Sequence, residues 1–136
     1  MREIERVKAA ADLAASRPGT KIRYLGPERF GPVITLHRFE LDNGLTVLLE
    51  IDPAAPVVSL QTWMKVGSRS EKPGKTGISH LFEHLMFGET ETTPHGAFDR
   101  QIEEAGGETN AGTFLDWTSY HQNLPKEALP LGIALE

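Results

Sequence analysis

The stretch Phe39-Glu40-Leu41-Asp42-Asn43-Gly44-Leu45-Thr46-Val47-Leu48-Leu49 decides the fold class. Phe39 and Leu41 alternate with Glu40 and Asp42, and beyond Asn43-Gly44 the residues Leu45, Val47 and Leu49 alternate again. A period of two places every second side chain on one face of a strand. Asn-Gly between two such runs signals a hairpin, because a two-residue turn needs positive φ at both central positions. The segment therefore reads as two antiparallel strands. Asp52-Pro53-Ala54-Ala55-Pro56 breaks the second of them, and Val57 to Val66, rich in β-branched and aromatic residues, reads as a third strand closing at Gly67.

Upstream, Ile4, Val7, Ala11 and Ala14 recur at helical spacing and predict a helix over 2–16, with a thin, Ala-rich apolar stripe. Ser16, Arg17, Pro18 and Gly19 end it, and residues 18–32, with three Pro and three Gly, read as an extended connector. Downstream, residues 67–76 are polar. Gly74-Lys75-Thr76 resembles the end of a phosphate loop but fails as one, since position 69 would have to be Gly and is Arg69. A helix follows over 77–87. Thr93-Pro94 opens a second over about 94–105, with Phe98, Ile102 and Ala105 as its apolar face and Gly106-Gly107 as its stop. Residues 108–123 read as two short strands around Phe114-Leu115-Asp116. Pro125 to Glu136 reads as a further helix with Pro125 in its first turn. These elements make an α+β chain with a mainly antiparallel sheet and helices packed against it. It divides into an N-terminal helix and connector, 1–37, and a main portion, 38–136.

The composition narrows the function. The chain has 136 residues and no cysteine, which excludes a disulfide framework, a thiol nucleophile and any thiolate metal site. No apolar run approaches the roughly 20 residues of a membrane span. Met1-Arg2-Glu3-Ile4-Glu5-Arg6 leads into no uninterrupted apolar core, so no signal peptide is visible and no compartment is assigned. The net charge of −5 argues against nucleic acid as a partner. Residues 1–88 carry 12 Lys+Arg against 10 Asp+Glu, whereas residues 89–136 carry 2 against 9. That acidic segment reads either as a solvated face or as a wall that attracts basic peptides.

The chemistry lies in Gly77-Ile78-Ser79-His80-Leu81-Phe82-Glu83-His84-Leu85-Met86-Phe87. On a helix, His80 and His84 are one turn apart and project from one face, so two imidazoles can share one Zn²⁺. Glu83 lies beside that face and can reach a metal-bound water without ligating the metal. This is the order His-x-x-Glu-His of the inverted zinc-peptidase motif. The same spacing also fits an amphipathic core helix with two surface histidines, Leu81, Phe82, Leu85 and Met86 supplying its apolar face.

The residues around the motif extend the pattern. Asn43-Gly44-Leu45, Val66-Gly67-Ser68-Arg69, the motif itself, Phe98, Ile102-Glu103, Gly106-Gly107, Asn110-Ala111, Thr113, Asp116, Thr118 and Tyr120 follow in order. This series resembles the N-terminal part of the inverzincin metallopeptidases, the group of pitrilysin, insulin-degrading enzyme and mitochondrial processing peptidase, over about residues 38–136. The resemblance implies a partial domain of that α+β peptidase fold. It implies zinc as cofactor with His80 and His84 as ligands, and Glu83 as general base on a zinc-bound water. It implies substrate binding at Asn110 and Ala111, on an edge strand that pairs with the substrate backbone; read from its neighbours alone, Asn110 is a turn residue after the glycine pair. The implied activity is endopeptidase hydrolysis of peptides or unfolded polypeptide segments, with a second peptidase-like half or subunit as partner. The family's third ligand, a Glu, would fall near position 160, roughly seventy-five residues after the motif. The chain is therefore expected to be truncated before it and inactive alone. The alternative within the same family is a non-catalytic polypeptide-binding or assembly module. His95 and His121 are weaker candidates for a substitute ligand, His37 has no partner in view, and Trp63 and Trp117 read as sheet-packing residues.

Overall fold

The hairpin forms with one change at its tip. In the computed structural model, which describes residues 2–15, 19 and 21–136, strand β2 (Ile34–Leu41) pairs antiparallel with β3 (Thr46–Glu50), with Phe39 opposite Val47 and Glu40 opposite Thr46. Gly44 takes φ +89°, but among the described residues no non-glycine residue has positive φ, so Asn43 does not. The Gly44 N–H donates to the Leu41 carbonyl at 2.9 Å, and the Leu41 N–H donates to the Leu45 carbonyl at 2.9 Å. The loop is thus the three residues 42–44, a turn closed by a left-handed glycine, rather than the two-residue turn expected. Asn43 earns its place differently: its Oδ1 accepts the Leu45 N–H at 3.0 Å.

The expected connector contains a strand. β1 (Ile22–Phe30) pairs antiparallel with β2, giving the order β1-β2-β3. Gly26 and Pro27 disguised it. Pro is tolerated in a sheet on an edge strand, where its missing N–H interrupts no ladder. Gly26, at φ +113°, sits where the register shifts after Tyr24, a bulge that only glycine enters without strain. Helix α1 (Arg2–Ala15) packs against β1 with Val7 and Ala11 buried. Its expected stop at Ser16, Arg17 and Pro18 lies outside the described residues, as does the side chain of Ala14. His37, expected to lack a partner, is fully buried in β2, its Nδ1 2.9 Å from the Tyr24 hydroxyl and its Nε2 3.3 Å from Glu3. These elements form one compact unit, Met1–Ala54.

The second unit, Ala55–Glu136, has its own sheet. β4 (Val57–Met64), the expected third strand, pairs antiparallel with β6 (Thr118–Pro125) and not with the hairpin. β5 (Glu108–Thr113) flanks β6 on the other side, giving the order β4-β6-β5. Three helices accompany it: α2 (Ile78–Leu85), α3 (Ala97–Glu104) and α4 (Leu129–Leu135). α3 starts three residues after Pro94, following a turn in which the Ala97 N–H donates to the Pro94 carbonyl at 2.9 Å. α4 starts later than expected, because Pro125 still belongs to β6; Pro130 occupies its first turn instead. The core is small: Phe98 and Ile102 of α3 pack on Leu124 of β6, with Val58, Phe87, Ala128 and Leu135 around them. Trp63 and Trp117 do lie together on this sheet, centroids 4.6 Å apart, although Trp63 stays half exposed. Among the described residues no helix is long and apolar enough to cross a membrane.

Candidate active site

α2 is a short helix held at its start by a distant carboxylate. Gly77 precedes it at φ +86°, and no side chain at that position caps the helix. Glu71 does so from six residues upstream: its Oε2 accepts the Gly77 N–H and its Oε1 the Ser79 N–H, both at 2.8 Å. These groups would otherwise be orphan donors at a helix N-terminus. The backbone bonds from Ser79 and Gly77 hold the Glu71 carboxyl below its ordinary pKa.

The helix turns its polar side toward the sheet. Ser79 and Glu83 are buried, while Leu81, Phe82, Leu85 and Met86 are more than half exposed. The expected apolar core face is therefore a solvent face among the described residues. The neighbour of α2 in the sheet is β5, where the residues nearest the strand's end, Gly112 and Thr113, are small or polar. A carboxylate can enter that contact because it meets a hydroxyl: Thr113 Oγ1 donates to Glu83 Oε2 at 2.5 Å. Thr118, buried in β6, donates its hydroxyl to the Val66 carbonyl at 2.9 Å and lies 3.3 Å from Thr113 Oγ1.

One turn separates the imidazoles. His80 Nε2 and His84 Nε2 are 3.0 Å apart, with ring centroids 4.7 Å apart. Both histidines are exposed. A tetrahedral zinc at about 2.05 Å from each nitrogen would space two of them about 3.3 Å apart. The donor pair thus fits a shared zinc with little movement. Among the described residues no group of three His, Cys, Asp or Glu side chains could hold a metal ion. Neither His95 nor His121 completes the pair: His95 is exposed before α3, and His121 lies within the β6 ladder opposite Asn110 and Gln61.

An open cleft of about 390 Å³ joins these groups, with His80, Glu83, Ala111, Gly112, Thr113 and Ser68 among its lining. Ala111 lies on the cleft and on the outer strand of the β4-β6-β5 sheet. Asn110 is on the same strand but exposed, its Oδ1 accepting the Ala111 N–H at 2.8 Å. The cleft's wall at Ser68 is fixed by the tip of the β5–β6 hairpin. The Ser68 N–H donates to the Phe114 carbonyl at 3.0 Å and the Arg69 N–H to the Leu115 carbonyl at 2.8 Å, with Arg69 and Asp116 paired at 3.1 Å. Gly67 permits this approach, since a Cβ there would collide with the Phe114 and Leu115 backbone. Tyr120, beside the site, is kept protonated above its ordinary range by burial first and then by the charges of Glu83 and Glu136.

Sequence reading gave Glu71 no role, and it placed Thr113 and Thr118 only in the family resemblance, with no link to Glu83. Each acts across a fold-made contact. The only local signal was an unexplained Glu before the Gly-rich approach to the helix.

Residues 46–135 match the model of the insulinase family, peptidase family M16, and the chain belongs to that family. Among its relatives, the zinc protease PqqE of Helicobacter pylori is 41 % identical over 81 residues, covering 59 % of this chain and 18 % of that protein. The mitochondrial-processing peptidase subunit beta of Blastocladiella emersonii is 33 % identical over 93 residues, covering 68 % of this chain and 20 % of that protein. The crystal structure of a protease from Helicobacter pylori matches 74 % of this chain and 24 % of its own at a TM-score of 0.71 and 35 % identity. Pitrilysin shares the fold, at a TM-score of 0.69 and 24 % identity, over 82 % of this chain and 13 % of its own. The chain thus spans about a fifth of the length of the curated relatives it matches.

Proposed function

We propose that residues 38–136 are the motif-bearing portion of a zinc-dependent endopeptidase that hydrolyses peptides or unfolded polypeptide segments. The observation that carries this reading is the 3.0 Å approach of His80 Nε2 to His84 Nε2, with His80 and Glu83 lining one cleft. His80 and His84 would hold the zinc through those nitrogens. Zinc, when bound, supplies Lewis acidity, which acidifies water and polarises a peptide carbonyl. Glu83 is the general base: its carboxylate takes a proton from the attacking water and delivers one to the leaving amine. Ala111 and Asn110, on the outer strand of their sheet, offer the substrate backbone a strand to pair with. Zinc enzymes commonly use three protein ligands; with two histidines and no group of three candidate ligands among the described residues, this chain supplies part of a zinc site and is inactive alone. A second peptidase-like half or subunit completes the site around the substrate. The family membership and the zinc proteases among the relatives support this reading.

The test is metal removal on the complete protein that carries this chain. Treatment with 1,10-phenanthroline should abolish cleavage of fluorescein-labelled casein, and zinc added after dialysis should restore it. Full cleavage after metal removal would refute the zinc mechanism.

A further inference from the structure

We infer that Thr113 is a positioning residue for the general base, a role that rests on the peptidase reading above. Three observations converge on it. Glu83 is 8 % exposed, so its carboxylate has few waters to orient it. Its Oε2 accepts the Thr113 hydroxyl, and no other hydrogen bond to this carboxylate occurs among the described residues. Glu83 also lines the open cleft beside His80, so its carboxylate reaches the cleft. One oxygen is tethered and the other is left to work.

The direction of the bond follows from chemistry. An ionised carboxylate only accepts, so Thr113 must donate its single hydroxyl proton to Glu83. The Thr118 hydroxyl lies 3.3 Å from Thr113 Oγ1 and packs against it, its own single proton going to the Val66 carbonyl at 2.9 Å. β5 and β6 pair Thr113 directly opposite Thr118, so the sheet register sets the distance between the two hydroxyls. The tether therefore runs from the β5 backbone through the Thr113 hydroxyl to the carboxylate, with the Thr118 hydroxyl packed behind it. It fixes Glu83 relative to β5, the strand proposed to carry the substrate. A base placed this way gains in orientation, and a displacement of about 1 Å can cost a hundredfold in rate.

The experiment compares Thr113→Val, which keeps the shape and removes the donor, with Thr113→Ser, which keeps the donor. Both are made in the complete protein beside Glu83→Gln. Cleavage of a quenched fluorescent peptide gives kcat and KM, and chelator competition gives zinc affinity. Thr113→Val should lower kcat about 10- to 100-fold, with KM and zinc affinity within about twofold of the parent. Thr113→Ser should recover kcat to within about threefold. If Thr113→Val does not fold, Thr113→Ala replaces it with the same readouts. An unchanged kcat in the donor-free variant overturns the proposal, as does a serine variant as impaired as the valine one. Weakened zinc binding in proportion to lost rate also overturns it, since the defect would then lie at the metal. An active Glu83→Gln would instead sink the underlying peptidase mechanism, whatever Thr113 does.

Discussion

At the residue scale, small side chains set the closest approaches. Gly107 sits where α3 turns into β5, its N–H donating to the Ile102 carbonyl at 2.9 Å. A Cβ there would lie 2.7 Å from the Asn123 carbonyl oxygen and 3.2 Å from Ile102 Cγ2, besides colliding with the Leu124 side chain. β6 is the central strand of its sheet, so Asn123 has little room to withdraw. Gly107→Ala should therefore destabilise the unit by about 1–3 kcal/mol through overpacking. Urea denaturation followed by tryptophan fluorescence would show the midpoint falling. An unchanged midpoint would mean that the sheet yields more easily than its central position implies. The Gly106-Gly107 pair was legible as a helix stop. The need for a bare Cα at Gly107 was not, because the obstructing atoms arrive from β6 sixteen residues later.

At the element scale, α2 depends on Glu71 for its start. The helix has eight residues and no capping side chain of its own, so in isolation it is too short to persist. The ionised Glu71 carboxylate satisfies two of its N-terminal N–H groups. The carboxyl's folded pKa lies below its unfolded value. This contribution is therefore fully present above about pH 4.3, the unfolded value, and is lost as pH falls through the lowered folded one. Stability measured between pH 7 and pH 3 should decline more steeply in the parent chain than in Glu71→Gln, which has no proton to gain. Parallel curves would show that the cap contributes nothing as a charge.

The same scale explains which elements could be read. Alternation exposed the β2–β3 hairpin, and β5 and β6 appeared on either side of Phe114-Leu115-Asp116, because local patterning and turn residues dominate there. β1 was hidden, since Gly26 and Pro27 are breakers that an edge strand with a bulge accommodates. The third strand was visible but its partner was not: β4 chooses β6, more than fifty residues away, and no local pattern encodes that choice. In the candidate site, His80, Glu83 and His84 were legible from one turn of helix. Thr113 and Thr118 were not, because the Glu83 tether is made by strand pairing thirty residues downstream.

At the scale of the whole molecule, what matters is how little of a relative the chain covers and which faces it leaves exposed. The chain spans about a fifth of its curated relatives, and the apolar side of α2 is more than half exposed. His80 and the tethered Glu83 line one cleft, His84 Nε2 lies 3.0 Å from His80 Nε2, and among the described residues no group of three His, Cys, Asp or Glu side chains could hold a metal ion. In the proposed mechanism binding and proton transfer are divided among these groups: the histidines would hold the metal and Glu83 would move the proton. One measurement separates the two tasks. In the complete protein, zinc content and peptide hydrolysis are determined for the parent and for Glu83→Gln in the same preparations. Glu83→Gln should hold equal zinc and hydrolyse at least about 100-fold more slowly, the usual scale of a lost general base. Hydrolysis near the parent rate with zinc in place would contradict the mechanism, because proton transfer would then have to proceed without Glu83.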